Sequence, residues 1–282
     1  MTRDEADMLP RWIRYYGGEL GVENLVVLDD NSDDGSTDDL PCTVYRLPPA
    51  PWKDTWARTR VALANGFAQG LLACYDAVIF TDVDEFLVPD PDRYDGLVHY
   101  ISASTQPAAA PLGVNVLHNA RFEPELDNGQ PVLSQRRFVK FAPGMCKPLI
   151  KRVPANWSLG FHGIKVPFEI DRELLLIHLK YYDASALATV SAQRHALYEQ
   201  EDRGGDASAW TLDHDELSSR LRSWVQVSEG HDVPEFDPTE PDLTDVITRR
   251  RAGGLFRSGG PQLEAMETSP LRRLPERFQH VL

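Results

Sequence analysis

Apolar residues in the first 90 positions of this 282-residue chain recur with the helix period in two segments and run together in two others. The helix period predicts helices at 8–16 and 55–72, the first of them ending at Gly17-Gly18. Apolar runs predict short buried strands at 25–28 and 76–88, and a further strand is predicted at 42–47. Because helices alternate with these strands, the pattern favours an α/β fold with a doubly wound, mostly parallel sheet and helices on both faces.

The last predicted strand, Asp76–Val88, carries acidic residues in its middle. Ala77 to Phe80 is a continuous apolar run, and Asp82 and Asp84 follow it. Side chains alternate along an extended chain, so we expect both carboxylates to point to the same side. Two carboxylates at the end of a buried strand need a partner, and a divalent cation bound by oxygen ligands is a common one. The alternative is a solvated strand end before Pro89.

A second acidic segment, residues 29–39, follows the strand predicted at 25–28. Its start matches a calcium loop of the helix–loop–helix type, but Pro41 stands where that loop needs a bidentate Glu. A strand, not a helix, also precedes it. We therefore interpret it as a strand-to-helix turn at the sheet edge where α/β proteins bind ligands. Arg58 and Arg60, early in the next predicted helix, either face this edge or lie on a solvated helix face.

Composition limits the classes of partner. The net charge of −14 disfavours nucleic acid or an anionic membrane surface as a main partner. No apolar run approaches the roughly 20 residues of a membrane span, and no signal peptide opens the chain, so we expect no transmembrane segment. The three cysteines show neither zinc-site spacing nor a disulfide framework, which favours a reducing, cytoplasmic location.

Four motifs in order make the chain recognisable. They are Arg3-Asp-Glu5, the helix Trp12-Ile-Arg-Tyr-Tyr16, the turn Leu28-Asp-Asp-Asn-Ser-Asp-Asp-Gly-Ser36 and the segment Asp82-Val-Asp-Glu-Phe-Leu87. This order resembles family 2-like glycosyltransferases of the GT-A type, in the branch whose metal motif reads Asp-x-Asp-Glu-Phe. The resemblance covers residues 1–90 well and extends weakly to about residue 200. The chain departs from the pattern because it begins inside the first motif, without the apolar strand that usually precedes it, and because Thr59-Arg60-Val61 replaces the usual Ala-Arg-Asn.

The resemblance implies an enzyme that transfers a sugar from a nucleotide-diphosphate donor to a saccharide or other hydroxyl acceptor, with inversion. Asp82 and Asp84 would hold Mn²⁺ or Mg²⁺ against the diphosphate, and Asp30, with Asp29, would hold the base and ribose. The remaining donor-binding candidates are Arg3, Glu5, Arg58, Arg60 and Lys147. For Lys147 a solvated basic strand is the alternative.

Two roles stay open between several residues. GT-A enzymes often place a histidine late in the domain as a third metal ligand, and we favour His162, on a glycine-flanked loop, over His178, in an apolar strand. The catalytic candidates are Asp84, as a metal ligand, and Glu85, which is close to the metal motif in sequence. The other acids considered as general base are Glu123, Glu125, Glu169 and Asp171.

The predicted domain organisation is a GT-A-like catalytic domain at 1–182 and a helical C-terminal extension at 183–282. Within the first, 1–90 would bind the nucleotide sugar and 91–182 the acceptor. The basic run 249–261 is either a lid over the diphosphate or a solvated linker. Two rival functions remain: a non-catalytic nucleotide- or sugar-binding module, and a phosphatase with an Asp nucleophile, which would need its Asp-x-Asp strand near the chain start.

Overall fold

The computed structural model describes residues 1–49, 55–201, 214–226, 232–250, 252–259 and 266–282. The helices are α1 (Met8–Leu20), α2 (Trp56–Leu71), α3 (Leu97–Ala103), α4 (Val132–Gln135), α5 (Ala184–Glu201) and α6 (His214–Trp224). The first strands are β1 (Val26–Asp29), β2 (Thr43–Arg46), β3 (Val78–Ile79), β4 (Glu85–Pro89), β5 (Ala108–Leu117) and β6 (Phe138–Phe141). The others are β7 (Ile150–Lys151), β8 (Gly163–Ile164), β9 (Glu169–Tyr181), β10 (Ile247–Arg250), β11 (Leu255–Ser258) and β12 (Arg272–Arg273).

These strands form three sheets. The largest has seven strands: its main path is β12-β6-β5-β7-β3, and β9 pairs with both β5 and β4. Strands β10, β11 and β8 form an antiparallel sheet, and β1 and β2 form a parallel pair. The long strands β5 and β9, whose apolar stretches are fully buried, lie side by side at the centre of the core.

The prediction of a mixed α/β fold is confirmed, but that of a mostly parallel, doubly wound sheet is wrong for the described strands. Only the β1–β2 and β5–β9 pairings are parallel there, and the other pairings are antiparallel. A continuous apolar run shows that a strand is covered on both faces, which holds equally for either direction. The sequence pattern therefore predicted the burial of the strands at 25–28 and 76–88 correctly and the strand direction wrongly, whereas β2 is exposed.

The segment 76–88, predicted as one strand, is divided in two by a turn. Strand β3 pairs with β7, whereas β4 pairs with β9, and between them the Glu85 N–H donates to the Asp82 carbonyl at 3.1 Å. Asp82 and Asp84 lie in this turn, so the alternation expected for an extended chain does not apply to them. The two halves belong to different strand pairs, which requires the chain to change direction between them.

Helix α1 packs against β4 and holds it through tyrosine hydroxyls. The Tyr16 hydroxyl donates to the Glu85 carbonyl at 3.0 Å and accepts from the Leu87 N–H at 2.9 Å, and its ring stacks on Phe86. Tyr15 donates to the Leu87 carbonyl at 2.6 Å. The helix continues through the two glycines at 17 and 18, where we expected its end, and stops before Gly21, which has a φ of 85°.

The region after residue 182 contains strands as well as the predicted helices. Helices α5 and α6 lie within the extension that was predicted to be helical. The described residues of the run 249–261 belong largely to β10 and β11, and β11 pairs with β8. Strand β12 pairs with β6, so this region completes sheets that begin in the first 182 residues. No helix in the described residues has the length and hydrophobicity needed to cross a membrane.

The Tyr16 hydroxyl provides a test of how α1 holds β4. Tyr16→Phe should lower the free energy of unfolding by about 2 kcal/mol, because two buried backbone groups of β4 lose their partner. Urea denaturation measures this, with Tyr45→Phe, at a half-exposed tyrosine of β2, as the matched control. Equal stability of the two variants would contradict this account of the α1–β4 contact.

Candidate functional site

Charged side chains from distant segments meet around the turn between β3 and β4. We call this group the carboxylate site and define it by its members: Asp82, Asp84, Glu85, Arg60, Lys147, His178 and Asn115. The turn and β4 supply the three carboxylates, α2 supplies the arginine, and the segment before β7 supplies the lysine. The histidine and the asparagine face each other from the neighbouring strands β9 and β5.

Arg60 reaches Asp82 from the second turn of α2. Its Nη2 donates to Asp82 Oδ1, and its guanidinium lies over the rings of Phe161 and Phe80, 5.1 and 5.8 Å from their centroids. Burial raises the pKa of Asp82, but the charges of Arg60 and Lys147 outweigh it and hold that pKa below its ordinary value. Asp82 is therefore a carboxylate at neutral pH, and part of it remains open to solvent.

Lys147 and Glu85 form a buried ion pair. They are 7% and 2% exposed, and Lys147 Nζ donates to Glu85 Oε1. Burial lowers the pKa of Lys147, but Glu85 and Asp82 raise it by more, so the net pKa lies above its ordinary value. Lys147 therefore stays an ammonium inside the protein, which is not the solvated basic strand considered above. The Glu85 carboxylate, in turn, is engaged in the ion pair with Lys147.

His178 lies next to Asp84 because β4 and β9 pair in register. The pairing sets His178 opposite Glu85, and His178 Nε2 lies 3.5 Å from Asp84 Oδ2. On the other side of the ring, His178 Nδ1 lies 2.5 Å from Asn115 Oδ1. An amide oxygen only accepts, so Nδ1 carries the hydrogen, and in the neutral ring Nε2 presents a lone pair to the carboxylate. A lone pair and a carboxylate oxygen at this distance repel unless a proton or a cation lies between them.

His162, the histidine favoured as third ligand, lies at the end of the short 3₁₀ turn Leu159–Phe161. Burial, followed by the charges of Lys147 and Arg257, lowers its pKa to about 3, while Asp82 acts in the opposite direction. His162 is therefore a neutral histidine, and charged members of the carboxylate site influence its pKa. In the structure it is His178, ranked second from the sequence, that contacts Asp84.

The carboxylate site offers a partial set of metal ligands. Among the described residues, no group of three or more His, Cys, Asp and Glu side chains is arranged to hold a metal ion. Asp84 and His178 present one oxygen and one nitrogen that are close enough to share a cation with bonds of about 2.1 Å. Divalent cations commonly complete such a shell with water and substrate phosphate oxygens.

The acidic turn after β1 is joined to the first motif. Asp29 is buried, and its Oδ1 accepts from the Ser32 N–H at 2.9 Å, so this carboxylate shapes the turn. The Asp4 N–H donates to Ser32 Oγ at 3.1 Å, and Asp4 Oδ1 accepts from the Asp33 N–H at 2.8 Å. Asp30 follows β1 directly and is also buried.

The remaining candidate residues from the sequence either make none of these contacts or have structural partners. Arg58 is exposed on α2, and Arg3 Nε lies 3.6 Å from Asp4 Oδ2. The Glu5 carbonyl accepts the Leu9 N–H in the first turn of α1. Two acids considered as general base have structural partners: Glu123 accepts the N–H groups of Asn119 and Arg137, and Asp171 accepts the Tyr100 hydroxyl.

Asn115 is the member of the carboxylate site that the sequence reasoning missed. The sequence does contain an indication of its role, because Asn115 and His178 each interrupt an otherwise apolar strand. A buried polar residue in such a strand needs a partner, and these two residues are partners for each other.

Comparisons of the chain with protein-family models, with curated proteins and with solved structures give no match. The interpretation of the site therefore depends on its geometry and on the sequence motifs.

The Lys147–Glu85 pair can be tested by removing one partner. Lys147→Met should lower the free energy of unfolding by about 3–5 kcal/mol, because it leaves a buried carboxylate without its cation. Adding Glu85→Gln should restore part of the loss, since the uncompensated charge is then removed. Urea denaturation is the measurement, and the exposed Lys165→Met is the control. A double variant less stable than Lys147→Met would contradict the pairing.

His162 predicts a specific pH dependence of stability. The pKa of His162 is about 3 in the folded protein and ordinarily 6.5. Between these two pH values the histidine is protonated in the unfolded chain but neutral in the folded protein. Stability is thus complete above pH 6.5 and falls with pH below it, by up to about 1.4 kcal/mol per pH unit. In His162→Gln, the free energy of unfolding should fall less steeply between pH 6 and 4. The exposed His99→Gln is the control, and parallel slopes in wild type and His162→Gln would contradict the assignment.

Proposed function

We propose that this protein is a metal-dependent glycosyltransferase that moves a sugar from a nucleotide-diphosphate donor to an acceptor hydroxyl, with inversion. The observation that carries the proposal is the carboxylate site. There Asp84 and His178 face each other across 3.5 Å, and Arg60 and Lys147 lie around the adjacent Asp82. The order of the four sequence motifs supports the same function.

The donor set of the site suits a divalent cation. Asp84 contributes a carboxylate oxygen and His178 a ring nitrogen whose lone pair faces it. Asn115 holds the ring in that tautomer, as the outer partner of a metal-binding histidine commonly does. A nitrogen ligand among oxygens favours Mn²⁺ over Mg²⁺. Asp82 has one oxygen engaged by Arg60, so its second oxygen is the one available to a cation.

Two cationic side chains, the buried Lys147 and the partly buried Arg60, suit the diphosphate of the donor. A bound divalent cation would neutralise charge on the leaving diphosphate as a Lewis acid. Arg60 and Lys147 add fixed positive charge in a site of low dielectric, where their interaction with phosphate oxygens is strong. Glu85 keeps Lys147 at this position and ionised, which makes Glu85 a positioning residue in our proposal.

The acidic turn suits the nucleoside part of the donor. Strands β1 and β3 both precede acidic turns, and the turn after β1 is held in shape by Asp29 and Ser32. We assign Asp30 to the base or ribose, as the resemblance implies, and Asp29 to the support of the turn. Helices cover a mixed sheet in the described residues, and a GT-A-like domain is the finer fold that we propose for it.

We also propose a cytoplasmic location. The three cysteines are free: Cys42 is partly buried, Cys74 is exposed and Cys146 is buried. An exposed free thiol persists in a reducing compartment. This supports the expectation drawn from their spacing.

The test is the thermal stabilisation of the protein by nucleotide sugars with and without Mn²⁺. UDP, GDP, ADP and their hexose conjugates form the panel, and a bound ligand at a hundredfold its Kd should add about 2.7 kcal/mol. Asp84→Asn and His178→Asn should abolish the Mn²⁺-dependent part, because each removes a proposed ligand. The matched control is Asp95→Asn, at a fully exposed acid.

Three outcomes would contradict parts of this proposal. Undiminished Mn²⁺-dependent binding in Asp84→Asn would contradict the assignment of Asp84 as a metal ligand. Loss of Mn²⁺-dependent binding in His162→Ala but not in His178→Asn would show that His162, not His178, is the histidine ligand. Binding without release of nucleoside diphosphate, across a panel of saccharide acceptors, would favour the non-catalytic binding module instead.

A further inference from the structure

A short turn, residues 157–164, packs an aromatic side chain with an unusual backbone conformation against the carboxylate site. Phe161 in this turn has a φ of 60°, in the left-handed region, and Gly160 before it has a φ of 69°. Every other described non-glycine residue with positive φ is an aspartate or an asparagine, whose short polar side chain tolerates this region. A phenylalanine is strained there, so the surrounding structure must hold Phe161 in place.

Backbone hydrogen bonds close the turn at both ends. Trp157 and Ile164 form an antiparallel bridge, and next to it the Ser158 N–H donates to the Gly163 carbonyl at 2.8 Å. Inside the turn, the Phe161 N–H donates to the Ser158 carbonyl at 2.9 Å. These bonds direct the Phe161 side chain into the protein, where it is 1% exposed.

Helix α2 holds the same turn through Asn65. The Asn65 side chain accepts from the Trp157 N–H at 2.8 Å and donates to the Trp157 carbonyl at 3.1 Å. The Trp157 indole N–H donates to the Pro148 carbonyl at 2.6 Å, one residue after Lys147. Because Arg60 lies on α2 as well, the turn is fixed relative to the helix from which the Arg60 side chain extends.

The Phe161 ring is part of an aromatic stack that borders Arg60. It stacks on Phe80, with the ring centroids 4.1 Å apart and the planes 17° from parallel. The Arg60 guanidinium lies 5.1 Å from the Phe161 centroid and 5.8 Å from that of Phe80. A ring face attracts a guanidinium, and a guanidinium packed on a ring keeps its N–H edge for hydrogen bonds. Arg60 directs such an N–H to Asp82.

We propose that Phe161 is a positioning residue, whose strained backbone holds an aromatic wall that fixes the Arg60 guanidinium in the direction of Asp82. An arginine side chain has many rotamers, and one that is already fixed loses less entropy when it binds an anion. The inference rests on the proposed function only for the nature of that anion, a diphosphate. The effect of Phe161 on Arg60 can be measured without any ligand.

The first test measures the order of the Arg60 side chain in the full chain without ligand. With isotope-labelled arginine, NMR relaxation of the Arg60 Nε–H group should give an order parameter of about 0.85 in the wild type, and below about 0.6 in Phe161→Leu. Leucine keeps an apolar side chain but removes the flat ring face. The matched control is Phe278→Leu, because Phe278 is equally buried and has the Arg277 guanidinium 4.8 Å from its centroid. It should leave Arg60 unchanged.

A second variant keeps the inference testable if Phe161→Leu does not fold. Phe80→Leu removes the other ring, which lies farther from the guanidinium, and it changes no residue of the turn. It should lower the order parameter of Arg60 by less than Phe161→Leu does. An unchanged order parameter in Phe161→Leu, or in Phe80→Leu where only that variant folds, would overturn the inference.

The second test separates positioning from a general structural role. The probe is the Mn²⁺ complex of inorganic pyrophosphate, titrated by calorimetry. Phe161→Leu should weaken its binding about tenfold, and Phe278→Leu should leave it unchanged. In an Arg60→Lys background Phe161→Leu should cause no further loss, because the planar guanidinium through which Phe161 acts is then absent. Equal losses in the two backgrounds would overturn the inference.

These tests distinguish failure of the inference from failure of the proposed function. If the wild type does not bind the Mn²⁺–pyrophosphate complex, the proposed diphosphate site is contradicted, and the order parameter of Arg60 still decides the role of Phe161. If the wild type binds the complex and Arg60 stays equally ordered in Phe161→Leu, the proposed function is retained and the positioning role is overturned.

Discussion

Three carboxylates within four consecutive residues, two of them buried, are the constraint on which the centre of this structure depends. Asp84 and Glu85 are 8% and 2% exposed, and an isolated buried carboxylate is strongly unfavourable. Lys147 and the arginine of α2 compensate this charge from segments far apart in the chain, and His178 lies beside Asp84. The positions of α2, of the segment before β7 and of β9 are therefore linked to the turn between β3 and β4.

Helix α1 holds the same turn from outside through neutral hydrogen bonds. Trp12 donates to the Thr81 hydroxyl at 2.8 Å, just before the turn, and Tyr16 bonds to the backbone of β4 just after it. Both ends of the turn are thus fixed by one rigid element, while its carboxylates remain directed at their partners. Helix α1 thus supports the site, whereas the charged side chains supply its chemistry. Binding sites of defined geometry are commonly held in this way.

The two acidic turns follow strands of different sheets, β1 and β3, that border the same cavity. Under our proposed function, Asp30 and Asp82, in these two turns, hold different parts of one donor.

The sequence by itself determined most element positions, the burial of the strands with continuous apolar runs and the acidic motifs, because apolar periodicity and strand-end acids are local properties. It predicted α1, α2, β1 and β2 at nearly their observed places, and it brought Asp82, Asp84 and Arg60 to one site. It did not determine strand direction, the turn within 76–88 or the choice of His178 over His162 beside Asp84. Those depend on which strands pair: His178 meets Asp84 only because β9 lies antiparallel to β4, and Asn115 meets His178 only because β5 lies parallel to β9. Such pairings join residues more than 60 positions apart, and their selection is made by the packing of the whole core rather than by any local pattern.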